Sequence, residues 1–96
     1  MTEALSDNVA RSRFELGVDG EKGFVDYRRS GTTLYLTHAE VPASLAGHGL
    51  GTRLVRDTLD LIRRRNERMV AVCPFIKAFV RRNPDYAELS AQSNEQ

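Results

Sequence analysis

The spacing of apolar residues changes near residue 42, and this change limits the chain to a small set of folds. Before that point, apolar residues alternate with polar ones, as Phe14, Leu16 and Val18 do, which is typical of half-buried strands. From residue 50 to residue 65, the apolar residues recur mostly at steps of three or four, which predicts an amphipathic helix. Along the chain, a group of strands should therefore precede a helix that packs on them.

Turn residues divide the first part of the chain into three predicted strands. Asp19-Gly20 suits a tight hairpin turn because both residues tolerate positive φ, and Ser30-Gly31 marks another turn. Pro42 ends the last of these strands because it lacks a backbone donor. The predicted strands cover residues 13–18, 24–27 and 32–41.

The second part of the chain continues with a short strand and a second helix. Residues 69–73 (MVAVC) form an apolar run of strand length. Pro74 suits a first helical turn, and the helix that it opens is predicted to stop near Asn83-Pro84. We therefore predict an α/β fold with a mixed sheet, in which three antiparallel strands are followed by a parallel strand–helix–strand unit and a final helix.

Length and composition indicate one small domain. The 96 residues suffice for one hydrophobic core, and 41% hydrophobic with 28% charged residues is typical of a globular protein. We expect the domain to cover residues 9–90. Residues 1–8 and 91–96 have the polar composition of flexible ends.

Charge and cysteine content narrow the class of function. The net charge of +1 gives no strong field toward nucleic acid or a membrane, so neither is expected as a partner, and the oligomeric state stays open. One cysteine excludes a disulfide framework and a cysteine-cluster metal site, and we expect no metal. No apolar run approaches about 20 residues and the start is no signal peptide, so we expect a cytoplasmic enzyme or binding module.

A glycine-rich loop joins the third predicted strand to the first helix. Gly47, Gly49 and Gly51 occur at alternate positions, where the lack of Cβ atoms lets backbone amides converge. The loop lies at a helix N-terminus, where free amides and the helix dipole favour an anion. The loop therefore predicts a phosphate or pyrophosphate site, with a flexible turn as the alternative.

The two standard nucleotide motifs do not fit this loop. A P-loop needs a lysine after its last glycine, and Thr52-Arg53 follow here. The dinucleotide fingerprint counted from Gly47 needs a glycine at position 52, which is threonine.

The loop and the second helix together resemble the very small members of the GNAT acetyltransferase superfamily. The resemblance covers about residues 10–89 and rests on V-P-x-x-L-x-G-x-G-L-G followed by V-x-x-C-P-F-I-K-A-F-V-x-x-N-P-D-Y. It implies that the amides of residues 46–52 bind the pyrophosphate of acetyl-CoA, and that the pantetheine arm pairs with backbone near Val41. Ala46 replaces the Arg or Gln that begins the superfamily pattern, which leaves the amides but removes one side-chain contact. The implied cofactor-binding residues are Val41, Ala46, Gly47, His48, Gly49, Leu50, Gly51, Thr52, Phe75, Lys77 and Phe79.

Two reactive side chains, Cys73 and His38, fall near the carboxyl ends of strands predicted to be parallel neighbours, where both would face one ligand. Cys73 also precedes a helix, whose positive end favours a thiolate. The alternative for each is structural, because a lone cysteine is commonly a core residue. The small GNAT proteins that the chain resembles carry a cysteine and a histidine at these places, near the expected thioester.

Two mechanisms of acetyl transfer are compatible with these residues. Alternation is expected to place His38 and Glu40 on one strand face, together with the preceding Leu34 and Leu36. Either of them could remove the proton of an amine that attacks acetyl-CoA directly. In the other route, Cys73 first accepts the acetyl group and then transfers it.

One residue that larger GNAT enzymes use is missing. Many of them place a tyrosine on the last helix to protonate the leaving thiolate, and here Phe79 occupies that place. Tyr86 lies just beyond and could substitute only if the chain folds back. The leading hypothesis is thus an acetyl-CoA-dependent N-acetyltransferase acting on an unidentified amine, and the alternative is a non-catalytic acyl-CoA-binding module or regulator.

A third hypothesis rests on the basic cluster of residues 63–65 and Arg68, which could serve a small interaction domain. The simpler interpretation is favourable charge near the negative end of the helix.

Overall fold

The structure is a computed structural model that describes residues 4–45, 47 and 49–91, and it consists of a five-stranded mixed sheet with two helices packed on one face. The elements are β1 (Ser6–Asn8), β2 (Arg13–Val18), β3 (Glu21–Ser30), β4 (Thr33–Glu40), α1 (Leu50–Arg64), β5 (Arg68–Ala71) and α2 (Pro74–Arg82), with short 3-10 helices at Val9–Arg11, Ala43–Leu45 and Pro84–Leu89. The strands lie in the order β1-β2-β3-β4-β5, antiparallel as far as β4 and parallel between β4 and β5. The predicted fold class is confirmed.

The first strand, β1, was not predicted. Its register pairs it with β2, and Asp7 accepts hydrogen bonds from the Tyr27 hydroxyl (2.7 Å) and from Arg65 (2.9 Å). Ser6–Asn8, which composition placed in a flexible end, thus form a paired strand. Backbone pairing and one partly buried carboxylate hold this segment, and neither produces an apolar pattern in the sequence.

A β-bulge interrupts the pairing of β3 with β4. Asp26 pairs with His38, whereas Tyr27 pairs with Leu36, so Thr37 is an extra residue in β4. The Thr37 hydroxyl donates to the Asp26 carbonyl at 3.3 Å. Because of this extra residue, the side chains of β4 beyond Thr37 alternate between the two faces of the sheet in the opposite phase.

The bulge separates residues that were expected to share a face. Leu34 and Leu36 are buried under the helices, and Ala39 packs against the same core. His38 and Glu40 instead are exposed, on the side of the sheet opposite these leucines. The prediction that Leu34 shares a face with His38 and Glu40 is wrong, because strict alternation does not continue across a bulge.

The parallel strands β4 and β5 diverge at the level of the bulge. Their last pair is Leu36 with Ala71, although β4 continues to Glu40. Beyond that pair, the amides of Val72 and Cys73 both donate to the Leu36 carbonyl at 3.0 Å. The last residues of β4 therefore have no partner on β5.

The core lies between the sheet and the helices. Leu54, Leu59 and Ile62 of α1 are fully buried against side chains such as Phe14 and Val25. Burying a side chain of this size stabilises the fold by about 1.5–3 kcal/mol. Neither described helix has the length and apolar character needed to cross a membrane.

Arginines at the end of α1 and in β5 hold the C-terminal segment, Pro84–Leu89. The Tyr86 hydroxyl donates to Asp60 at 2.7 Å, and the Arg63 guanidinium lies 5.0 Å from the Tyr86 ring centroid. Arg63 and Arg68 also donate to backbone carbonyls of the segment. Part of the basic cluster thus has a structural role, which weakens the hypothesis of a nucleic-acid or protein interaction patch.

The two buried tyrosines predict how stability depends on pH. Burial raises the pKa of Tyr27 and of Tyr86, and hydrogen bonds to Asp7 and Asp60 raise each pKa further. Since the unfolded chain loses these protons more easily, their contribution should be full below about pH 10 and be lost as the pH rises through the folded-state pKa values. The free energy of unfolding, measured in urea between pH 8 and pH 11, should show this loss. The double variant Tyr27→Phe/Tyr86→Phe should lose less stability over the same pH range. The control is Tyr35→Phe at an exposed position, which should keep the wild-type dependence of stability on pH. The same pH dependence in the double variant as in the wild type would contradict the prediction.

A buried hydroxyl on α1 predicts a stabilising substitution. Thr58 is fully buried, and its Oγ1 has no hydrogen-bond partner among the described residues. Thr58→Val should raise the free energy of unfolding by about 1 kcal/mol, because it removes an unpaired polar atom without changing the side-chain shape. Thermal unfolding should show a rise of about 4–8 °C. The same change at the exposed Thr32 should have little effect, and a destabilised Thr58→Val would show that the hydroxyl is paired.

Candidate functional site

A groove of about 400 Å³ opens where β4 leads into α1. The end of β4 forms one wall, the glycine loop and the first turn of α1 form the other, and Phe75 of α2 contributes to the lining. Eight of the residues predicted from the sequence line it: Glu40, Val41, Gly47, Gly49, Leu50, Gly51, Thr52 and Phe75.

The glycine loop leads into the first turn of α1 beside this groove. Gly47 and Gly49 have φ of 85° and 76°, and a Cβ atom on either would point into open space. The first helical bond of α1 runs from the Arg53 amide to the Gly49 carbonyl (3.1 Å), and no described residue accepts from the amides before it, those of residues 50–52. The first turn also holds no acidic side chain. The loop therefore has the backbone geometry and the charge that an anion requires.

Gly51 has a different role from the other two glycines. Its φ is not positive, and a Cβ at this position would lie 3.2 Å from the Phe75 ring and 3.6 Å from Val41. Gly51 therefore lets α2 bring Phe75 close to the start of α1. From the sequence, all three glycines were assigned to amide convergence, because the packing of Gly51 depends on Phe75, which lies 24 positions away.

Two predicted cofactor residues, Lys77 and Phe79, do not line the groove. Ala46 and His48 lie outside the described residues. Lys77 is exposed on α2, away from the groove lining. Phe79 is 1% exposed, and its ring lies 5.7 Å from the Tyr86 ring in the core. Phe79 therefore lies in the core beside Tyr86 and under Arg56 of α1, and not in the groove lining where the resemblance placed it.

Three groove residues, Ala39, Leu45 and Leu54, were not predicted from the sequence. Ala39 faces the groove only because of the bulge, which no sequence signal marks. Leu54 follows Leu50 by four residues on α1 and was attributed to the core stripe alone.

The three predicted catalytic residues fall into two places. The His38 Nε2 atom lies 3.1 Å from the Glu40 Oε1 atom, and the ring lies 6.0 Å from the Phe24 ring. Both side chains are more than half exposed, at 55% and 61%. Cys73 is 5% exposed within the core cluster, at the residue that precedes α2, and its sulfur has no hydrogen-bond partner within the described part of the chain. The structure therefore brings His38 and Glu40 together and leaves Cys73 on the helix-covered side of the sheet.

Tyr86 does not replace the missing tyrosine of α2. The chain folds back after α2, but Tyr86 is buried and donates its hydroxyl proton to Asp60 of α1. It does not line the groove. Among residues 4–45, 47 and 49–91, no three His, Cys, Asp or Glu side chains are grouped closely enough to hold a metal ion.

Comparison with known proteins agrees with this fold. The sequence model of the GCN5-related N-acetyltransferase family matches residues 13–89. Among solved structures, a GCN5-like candidate N-acetyltransferase from Staphylococcus aureus, determined by NMR in solution, superposes with a TM-score of 0.67 at 21% identity, over 90% of this chain and 85% of that one. No curated protein gives a significant match. Because the family match spans most of the sequence, this chain belongs to the GCN5-related N-acetyltransferase family.

Proposed function

We propose that the protein is an acetyl-CoA-dependent N-acetyltransferase that acetylates an amine. The observation that carries the proposal is the groove, where the first-turn amides of α1, which have no acceptor among the described residues, meet the edge of β4 that β5 leaves without a partner. One end of this groove suits an anion and the other suits an extended amide-containing chain, which are the two parts of coenzyme A that a protein backbone can bind.

Different residues of the groove would bind different parts of the coenzyme. The amides from Gly47 to Thr52 would hold the pyrophosphate at the helix N-terminus. The backbone of β4 beyond Leu36 would pair with the pantetheine amides, since β5 leaves it free. Phe75, which is 42% exposed, would contribute an apolar wall.

The His38–Glu40 pair supports direct transfer. The thioester supplies the acetyl group: the amine nitrogen bonds to the carbonyl carbon, the carbon–sulfur bond breaks, and the proton lost by the amine ends on the released thiolate. His38 would remove that proton through Nδ1, because its Nε2–H donates to the Glu40 carboxylate at 3.1 Å, and the same carboxylate would stabilise the resulting imidazolium. Cys73 has no base within hydrogen-bond reach among the described residues, which makes the covalent route the second choice.

A non-catalytic acyl-CoA-binding module is the second candidate function. It is favoured by the absence of tyrosine from α2 and by the hydrogen bond that occupies the Tyr86 hydroxyl. Coenzyme binding without transfer to any amine would support it.

Substitution of Gly49 tests the anion site. Gly49→Val should remove coenzyme binding, because its side chain would enter the open space in front of the amides. Bound coenzyme at about 100 times its Kd adds about 2.7 kcal/mol to stability, so a melting-temperature titration with acetyl-CoA and with free CoA measures the loss.

Gly31→Val is the matched control for this test. Gly31 also has positive φ (62°) and open surroundings, so the variant bears the same backbone strain far from the groove and should still bind coenzyme. If both variants unfold, Gly51→Ala is the alternative, because Gly51 does not have positive φ and tolerates a side chain without backbone strain. Its added methyl group narrows the groove at Phe75 and should also weaken coenzyme binding. Unchanged affinity in Gly49→Val would refute the amide site.

Substitution of the two reactive side chains distinguishes the mechanisms. His38→Gln should lower kcat/KM for amine acetylation by about 100-fold while the coenzyme-induced rise in melting temperature is retained. Cys73→Ala should keep most of its activity, and intact-mass spectrometry of the wild type with acetyl-CoA should show no stable acetyl adduct. An adduct that disappears in Cys73→Ser, together with loss of activity, would favour the covalent route instead.

A further inference from the structure

A second cavity of about 400 Å³ lies away from the groove. Its lining consists of Arg28, Arg29 and Ser30 from β3, Tyr35 and Thr37 from β4, and Val72 from just beyond β5. The side chains of Arg28 and Tyr35 face each other across β3 and β4. Because Leu34 and Leu36 point into the core, Tyr35 between them points to the face of the sheet that the helices leave open.

The cavity adjoins the proposed reaction site. Thr37 directly precedes His38 in the chain, and Val72 directly precedes Cys73. These are also the first residues beyond the last pair of β4 with β5, so the cavity lies where the two strands separate. A molecule bound there would reach the groove from the open side of the sheet.

Arg28 supplies a cationic group without a partner inside the protein. Neighbouring arginines are paired: Arg29 with Glu67 at 2.7 Å, and Arg13 with Asp26 at 2.9 Å. Arg28 makes no ion pair or hydrogen bond with any residue in the described ranges, and no Asp or Glu lines this cavity. The cavity therefore offers a free guanidinium and no internal carboxylate to neutralise it.

The floor of the cavity is apolar and unusually open. Tyr35 is 39% exposed and Val72 is 45% exposed, and both are among the few large apolar side chains that the described fold leaves on the surface. Exposed apolar groups beside a few polar or charged anchors are typical of a small-molecule site.

From this juxtaposition we propose that the cavity binds the acceptor, and that the acceptor is an amine carrying a carboxylate on an apolar stem. The proposal rests on the proposed acetyltransferase function. Arg28 binds the carboxylate, Tyr35 and Val72 contact the stem, and the amine is directed to His38. A guanidinium binds a carboxylate through two parallel hydrogen bonds, whereas a simple amine or polyamine would find no anion in the lining.

The register sets the length of the acceptor. Arg28 lies two residues along β3 from Asp26, and Asp26 pairs with His38. Two strand residues span about 7 Å, so an ω-amino acid such as 6-aminohexanoate fits better than an α-amino acid. Its matched probe without the carboxylate is hexylamine.

The experiment compares these two acceptors in wild-type protein, Arg28→Gln and the control Arg64→Gln. Arg64 is exposed at the end of α1, so the control makes the same change of charge far from the cavity. We expect kcat/KM for 6-aminohexanoate to exceed that for hexylamine by about tenfold or more, with the advantage lost in Arg28→Gln, kept in Arg64→Gln and partly restored in Arg28→Lys. Equal values for the two acceptors, or an advantage that survives in Arg28→Gln, would overturn the proposal.

A binding measurement separates this proposal from the proposed function. In an NMR titration of the unliganded protein, 6-aminohexanoate should shift the amide signals of Tyr35, Thr37 and Val72, and should not do so in Arg28→Gln. Failure of acetyl-CoA to raise the melting temperature would refute the coenzyme assignment, while the titration would still test the cavity. Shifts produced by O-phosphoethanolamine but not by 6-aminohexanoate would assign the cavity to phosphate and refute the carboxylate.

Discussion

The β-bulge at Thr37 is the feature on which the rest of the site depends. By adding one residue to β4, it turns Ala39 toward the helices and exposes His38 and Glu40 on the open face. It coincides with the end of pairing between β4 and β5, so the last residues of β4 keep free backbone groups. A groove on one side of the sheet and a candidate acceptor cavity on the other side both meet at this point.

The loop before α1 shows how a small chain can leave backbone groups available for a ligand. Its first-turn amides have no acceptor among the described residues, and no side chain caps the helix at Gly49. A capping side chain would stabilise the helix by about 1 kcal/mol but would occupy the amides that an anion needs. The bound coenzyme would supply the missing cap, which couples folding stability to ligand binding.

Tyrosine and arginine side chains serve the fold rather than the groove. Tyr86 and Arg63 fix the C-terminal segment on α1, and Tyr27 fixes β1 through Asp7. In this way both ends of the described chain are attached to the core by a buried hydroxyl and a carboxylate. No described tyrosine lines the groove, which is why the proposed mechanism assigns proton transfer to the His38–Glu40 pair.

The sequence alone determined the elements that depend on neighbouring residues: the three hairpin strands, the helix from Leu50, the final strand and helix, and the glycine loop with its implied anion site. Alternation, helical spacing and turn residues involve only a few neighbouring positions, so these elements can be predicted from the sequence. The tertiary structure alone decided which way His38 points, why Gly51 must lack a side chain, how β1 is held and where Tyr86 lies. These depend on pairing and packing between residues distant in the chain, and local patterns carry no signal for such contacts.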